Sequence, residues 1–127
     1  MADFAAQPHY PASALIEAYG AGGFRFAGMS HRGSLLFMPD GIWAWPVRSP
    51  DGLSQDALAP VFARAPELDL VLVGTGRDPW IMPNALHERF RALRLTVDTM
   101  TTGAAVRTYN VLLAERRRIA AALIAVD

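Results

Sequence analysis

Residues 68–76, LDLVLVGTG, restrict the fold more than any other stretch of this chain. Leu70, Val71, Leu72 and Val73 run together without a polar break and lead straight into Gly74-Thr75-Gly76. A run this short and this rich in valine and leucine reads as a strand buried on both faces. Such a strand sits inside a parallel sheet with helices on both sides. In an open α/β sheet the crevice lies beyond the carboxyl ends of the strands, so Gly74, Thr75 and Gly76 mark where a site is expected.

The first half of the chain reads as an antiparallel β meander. Residues 15–19, 24–27, 34–38 and 42–47 are expected strands, with turns at 20–23, 30–33 and 39–41. Residues 24–27 and 34–38 would form a hairpin. Pro46 puts the strand at 42–47 on an edge, with Trp43 and Trp45 on one face and Ile42 and Ala44 on the other. Residues 1–13, which carry Pro8 and Pro11, read as a flexible arm ahead of a single domain over 14–127.

The second half reads as β-α-β-α with parallel strands. A helix over 54–65 would start at Ser54, although Pro60 conflicts with an unbroken helix. Pro83 opens a second helix, with Leu86, Phe90 and Leu93 on one face, and residues 95–97 form a short strand. Thr101 or Thr102 would cap a last helix running to about residue 125, with Ala105, Tyr109, Leu112, Ile119 and Leu123 on its buried side.

Composition narrows the chemistry. At 52% hydrophobic and 19% charged residues the chain is no disordered segment. Net charge is zero, which gives no overall pull towards nucleic acid. No cysteine is present, so disulfides, thiolate nucleophiles and cysteine metal sites are excluded. All twelve cationic side chains are arginine, which removes Schiff-base lysines and a Walker-type phosphate lysine. His9, His31 and His87 lack metal-ligand spacing, and no G-x-S-x-G elbow occurs. No signal peptide or membrane-spanning run is evident, so a cytoplasmic location is expected. No cofactor and no metal are implied.

Two places remain as candidate sites. The Gly74-Thr75-Gly76 turn is followed by Pro79 where a dinucleotide fingerprint needs its third glycine, so the glycines serve a sharp turn and close helix approach. Thr101, Thr102 and Gly103 leave a strand and enter a helix, where free N–H groups and the dipole favour an anion. Arg107 and Asn110 lie one turn on, and Arg77 reaches the spot from the loop. Two readings stay open: an anionic ligand pocket shared with Gly74, Thr75 and Gly76, or simple helix capping with Arg107 paired to Asp98 or Asp78. Trp80, Ile81 and Met82 form an apolar loop that is either a partner surface or a cover for the core.

Several of these segments together resemble the Mth938-like family. They are Tyr19-Gly20 with Gly22-Gly23-Phe24, Gly33-Ser34-Leu35, Trp43, Gly74-Thr75-Gly76, Pro83 and Met100-Thr101-Thr102 with Ala104-Ala105. The most specific is Arg107-Thr108-Tyr109-Asn110-Val111-Leu112 with Glu115-Arg116-Arg117. The resemblance implies a three-layer α/β fold, with a mixed central sheet, helices and a smaller antiparallel β layer. It brings no established catalytic activity. That family includes a mitochondrial assembly factor of respiratory complex I, and bacterial members of unsettled role, some thought to be encoded near protein-export components.

The expected function is therefore a non-enzymatic binding or assembly module acting on a protein partner. The alternative is a protein or enzyme that binds a small anionic molecule at the Thr101–Gly103 helix start. The edge strand at 42–47 also allows a homodimer.

Overall fold

The computed structural model describes residues 7–127. The elements are, in order, β1 (Ile16–Gly20), β2 (Gly23–Phe26), β3 (Met29–Arg32), β4 (Ser34–Met38), β5 (Gly41–Trp45) and α1 (Ala59–Phe62). They continue with β6 (Leu70–Gly74), α2 (Asn84–Ala92), β7 (Val97–Met100), α3 (Thr102–Ala114) and β8 (Ile119–Leu123). Five strands form a mixed sheet in the order β5-β4-β8-β6-β7. Within it β6 runs parallel to β7 and β8, and β4 runs antiparallel to β5 and β8.

Side chains alternate across this sheet with the strand period of two. Leu36, Met38, Val71, Val73, Ala120 and Ala122 face one core, shared with Leu86 and Phe90 of α2. Leu35, Phe37, Leu72, Ile119, Ala121 and Leu123 face the other, shared with Ala105, Val106 and Tyr109 of α3. A second, antiparallel sheet, β1-β2-β3, adds Ile16, Phe24 and Phe26 to that same core. The result is three layers: α1 and α2, the mixed sheet, then α3 beside the small sheet. Trp45 is buried in the first core with Trp43 packed against it, while Ile42 lies in the second, as alternation along β5 requires.

The small sheet is closed by two two-residue turns. Ala21 and Gly22 have φ of 53° and 81°, Ala27 and Gly28 of 49° and 73°. Paired left-handed residues match the twist of an antiparallel hairpin. Residues 30–32, expected in a turn, are therefore in β3, and β2 pairs with β1 and β3 instead of with residues 34–38. The turn signal at 27–28 carries alanine where asparagine or aspartate is customary, and β4 joins the other sheet.

Three other boundaries move. Pro60 has no N–H for an intrahelical bond, so the helix expected over 54–65 contracts to Ala59–Phe62. Ser54 still caps locally, its hydroxyl accepting the Ala57 N–H at 3.1 Å. The strand expected at 95–97 instead spans Val97–Met100. The last helix stops at Ala114, and Ile119 and Leu123 belong to β8, at the centre of the sheet. Arg116 ends that helix in the left-handed conformation, φ 63°. Its N–H bonds the Leu113 carbonyl and the Arg117 N–H bonds the Leu112 carbonyl, the paired closure of a Schellman motif.

Of the arm expected over residues 1–13, residues 1–6 lie outside the described residues. His9 donates its N–H to the Ile42 carbonyl at 2.8 Å, and Ile42 donates to Tyr10 O at 2.9 Å, so this segment lies along the outer side of β5.

Candidate functional site

The carboxyl end of β6 and the start of α3 meet directly. Gly74 is the point of closest approach: a Cβ there would stand 2.8 Å from Leu123 Cδ2 and 3.1 Å from the Thr102 Cα. Gly76, at φ 94°, turns the chain away. Its carbonyl accepts the Thr102 N–H at 2.9 Å, and its own N–H donates to Thr102 Oγ1 at 3.0 Å. That hydroxyl donates onward to the Ile124 carbonyl at 2.7 Å. Thr75 Oγ1 lies 2.8 Å from the Asp78 carbonyl and 3.2 Å from that of Met100. Thr75 and Thr102 are both buried, and both hydroxyls act on main-chain partners.

The structure thus brings Gly74 and Gly76 into contact with Thr102, with Thr75 between them in the chain bonded to Asp78 and Met100 instead. The other expected residues diverge. Thr101 is the N-cap of α3 but makes no side-chain cap bond. Gly103 abuts the Tyr19 hydroxyl, which lies 2.5 Å from where a Gly103 Cβ would stand. Arg77 donates to the Asp127 carbonyl at 3.0 Å. Asn110 turns towards β1 and bonds both main-chain polar groups of Ile16. Arg107 is exposed and forms no ion pair among the described residues, with Asp98 and Asp78 included.

The loop from β6 to α2 has a sharper character. Pro79 and Pro83 bracket Trp80, Ile81 and Met82. Met82 is buried and Trp80 is half-buried, both against the first core. Ile81, between them, is 91% exposed. The loop is therefore anchored at two side chains and presents one aliphatic residue to solvent.

A different feature escapes the sequence reading. A hollow of about 560 Å3 opens on β1-β2-β3, with Arg25, Ser30 and Arg32 at its margin. Arg25 reads as the polar position of an expected strand and Ser30 and Arg32 as turn residues, so their convergence depends on a hairpin register that the sequence did not reveal. Of the shifted groups Tyr109 is structural, whereas His31 also lines this hollow. Tyr109 is held far above its ordinary value by burial, so its neutral hydroxyl donates to the Ala14 carbonyl at 3.1 Å. Burial and the neighbouring His9 push His31 below the usual imidazole value, against a backbone hydrogen bond at Ser34. Among the described residues no three His, Cys, Asp or Glu side chains gather closely enough to hold a metal. No helix among them is long and apolar enough to cross a membrane.

Comparison with known proteins adds independent information. A family described as "Protein of unknown function (DUF498/DUF598)" matches residues 16–124. An uncharacterised protein of Rhodobacter capsulatus is 38% identical over 118 residues, covering 93% of this chain and 90% of that protein. The NADH dehydrogenase [ubiquinone] 1 alpha subcomplex assembly factor 3 of Xenopus tropicalis is 34% identical over 111 residues. That match covers 87% of this chain but 60% of the assembly factor, so the chain spans less than two thirds of that relative. Among solved structures, a Rhodopseudomonas palustris protein is 53% identical, with a TM-score of 0.83 over 99% of this chain and 93% of that one. A Bartonella henselae protein described as an outer membrane protein is 45% identical, with a TM-score of 0.90 over 94% and 100%. A Bordetella pertussis protein described as a Mth938-like domain is 27% identical, with a TM-score of 0.78 over 88% and 85%.

Proposed function

This chain belongs to the Mth938-like family of unknown function, DUF498/DUF598, and on that premise we propose that it is a non-catalytic, assembly-factor-like module that engages a protein partner through its 77–83 loop. The observation that carries this reading is Ile81, 91% exposed at the tip of a loop anchored by Trp80 and Met82. An aliphatic residue in that position loses little conformational freedom on docking, because the proline-bracketed backbone and the two anchors are already placed. Arg107, exposed on α3, supplies a guanidinium free to meet a partner carboxylate. The assembly-factor relatives support the same class of activity.

The test is quantitative cross-linking in cells, comparing the wild type with Ile81→Asp, Trp80→Ala and Arg107→Ala. The expected result is loss of a defined partner in Ile81→Asp with the melting temperature unchanged. An identical set of cross-linked partners in all three variants overturns the reading.

The second reading is an anionic ligand at the Thr101–Gly103 helix start. Its support is that Thr101 leaves the first turn without a side-chain cap, so the N–H groups of Gly103 and Ala104 lack intrahelical partners. Arg107 lies one turn on. Stabilisation by inorganic phosphate that vanishes in Arg107→Ala would favour it over the first reading.

A further inference from the structure

We propose that the solvent face of the three-stranded sheet is an oxyanion site, in which Arg25 and Arg32 receive a small ligand bearing carboxylate or phosphate groups. The register places Ala18, Arg25 and Ser30 in one cross-strand row, and Gly20, Gly23 and Arg32 in the next. These six share a face, because Phe24 and Phe26, alternate to them on β2, are buried in the core. The floor is thus the Ala18 methyl group and the bare backbone of two glycines, and two guanidinium groups line its margin.

The hollow above that floor has a volume of about 560 Å3. Small-molecule sites typically occupy about 300–1,000 Å3. At Gly20 an added Cβ would meet nothing within 4 Å, so the space over that end of the floor is open, whereas at Gly23 it would run into the His31 main-chain carbonyl of β3. Arg25 is held in place, donating from Nη1 to Ser30 Oγ at 3.0 Å, with Nε 3.5 Å from Glu17 Oε1. That carboxylate is divided, because Glu17 also accepts the Gly28 N–H at 3.0 Å. Arg32 reaches over the first turn, its Nη1 3.9 Å from where a Gly22 Cβ would stand. It has no acidic partner among the described residues.

Arg25 and Arg32 are diagonal neighbours across β2 and β3, a spacing at which like charges repel. Glu17 pairs with Arg25 and with the Gly28 N–H but not with Arg32, so that repulsion is partly uncompensated. An oxyanion between the two forks would relieve it and accept paired N–H bonds from planar donors. The flat floor suits a small ligand that lies on the backbone. This site is separate from the 77–83 loop, so either can fail without the other.

The experiment is an amide-detected NMR titration of the full chain with citrate and, separately, inorganic phosphate, at constant ionic strength and neutral pH. Saturable shifts are expected in the amides of residues 18–32 and in the Nε–H groups of Arg25 and Arg32. Arg32→Gln and Ala18→Phe should each weaken binding about tenfold or more. The first removes a donor and the second fills the floor while keeping both charges. Both positions face solvent, and unchanged melting temperatures will show that both variants fold. The citrate and phosphate arms separate carboxylate from phosphate recognition. Shifts that stay linear with both anions, shifts centred on Gly103 and Ala104, or affinity unchanged in both variants would overturn the proposal.

Discussion

Asn110 holds both main-chain polar groups of Ile16, accepting its N–H at 2.8 Å and donating to its carbonyl at 2.9 Å. A side-chain amide thus stands where a neighbouring strand would pair, and it ties β1 to α3. The adjacent Tyr109 hydroxyl reaches the Ala14 carbonyl, so two consecutive helix residues fasten the entry into the small sheet. Asn110→Ala leaves two part-buried main-chain groups unpaired and should cost about 1–3 kcal/mol. Asn110→Asp should not rescue it, because a carboxylate cannot donate to the Ile16 carbonyl. Urea denaturation checks both; a loss below about 0.5 kcal/mol in Asn110→Ala would show that the clasp is dispensable.

Both long helices close with an arginine in left-handed conformation. Arg94 has φ 55° and Arg116 has φ 63°. At Arg94 the N–H bonds Arg91 O and the Leu95 N–H bonds Phe90 O, the same pairing found at Arg116. Glycine adopts this conformation without a Cβ penalty. Arg94→Gly and Arg116→Gly should each stabilise the fold by about 0.5–1 kcal/mol, offset in part by greater freedom of the unfolded chain. Thermal denaturation reads the shift, and a lowered melting temperature in both variants would contradict it.

Those two arginines also explain what the sequence concealed. β6 was legible because Leu70–Val73 can be little else than an inner strand, and Gly74 because its missing side chain admits α3. β8 was not. Its residues, Ile-Ala-Ala-Ala-Leu, favour a helix by local preference, and no glycine or proline separates them from α3. Tertiary context decides: between β4 and β6 every residue of β8 is buried, with the alanines divided between the two cores. The small sheet was hidden for a similar reason, since its turns use Ala21 and Ala27 at left-handed φ. The meeting of the Gly74–Gly76 turn with Thr102 followed from strand order, but the targets of the Thr75 and Thr102 hydroxyls are loop and strand-end carbonyls that no spacing rule supplies.

Acid should loosen the start of β8. The Arg118 N–H donates to Asp69 Oδ2 at 2.9 Å, and the Arg118 guanidinium lies 3.2 Å from Oδ1. The main-chain bond from Arg118, then its side-chain bond and charge, hold the Asp69 carboxyl below the usual aspartate value despite partial desolvation. A depressed folded-state value means that the unfolded chain binds the proton more readily. The contribution is therefore present above the unfolded value, about 3.9, and is lost as pH falls through the lower folded value. Asp69→Asn should flatten the acid limb of a stability–pH curve while leaving its shape above about pH 6 unaltered. A variant whose acid limb matches the wild type would exclude Asp69 as its source.

Thr102 offers the sharpest test of the β6–α3 junction. Its side chain is fully buried, and Oγ1 both accepts the Gly76 N–H and donates to the Ile124 carbonyl. Valine has nearly the same shape and can do neither. Thr102→Val should leave one buried donor and one buried acceptor unpaired, a loss of about 2–4 kcal/mol. Thr102→Ser keeps the hydroxyl and removes one methyl group, a loss of about 1 kcal/mol. The ordering distinguishes hydrogen bonding from packing, because a junction held by shape alone would tolerate valine better than serine. Hydrogen exchange at the Gly76 amide gives a local readout: protection should fall in Thr102→Val and persist in Thr102→Ser. The reverse ordering in both measurements would mean that the hydroxyl does not hold the strand end to the helix.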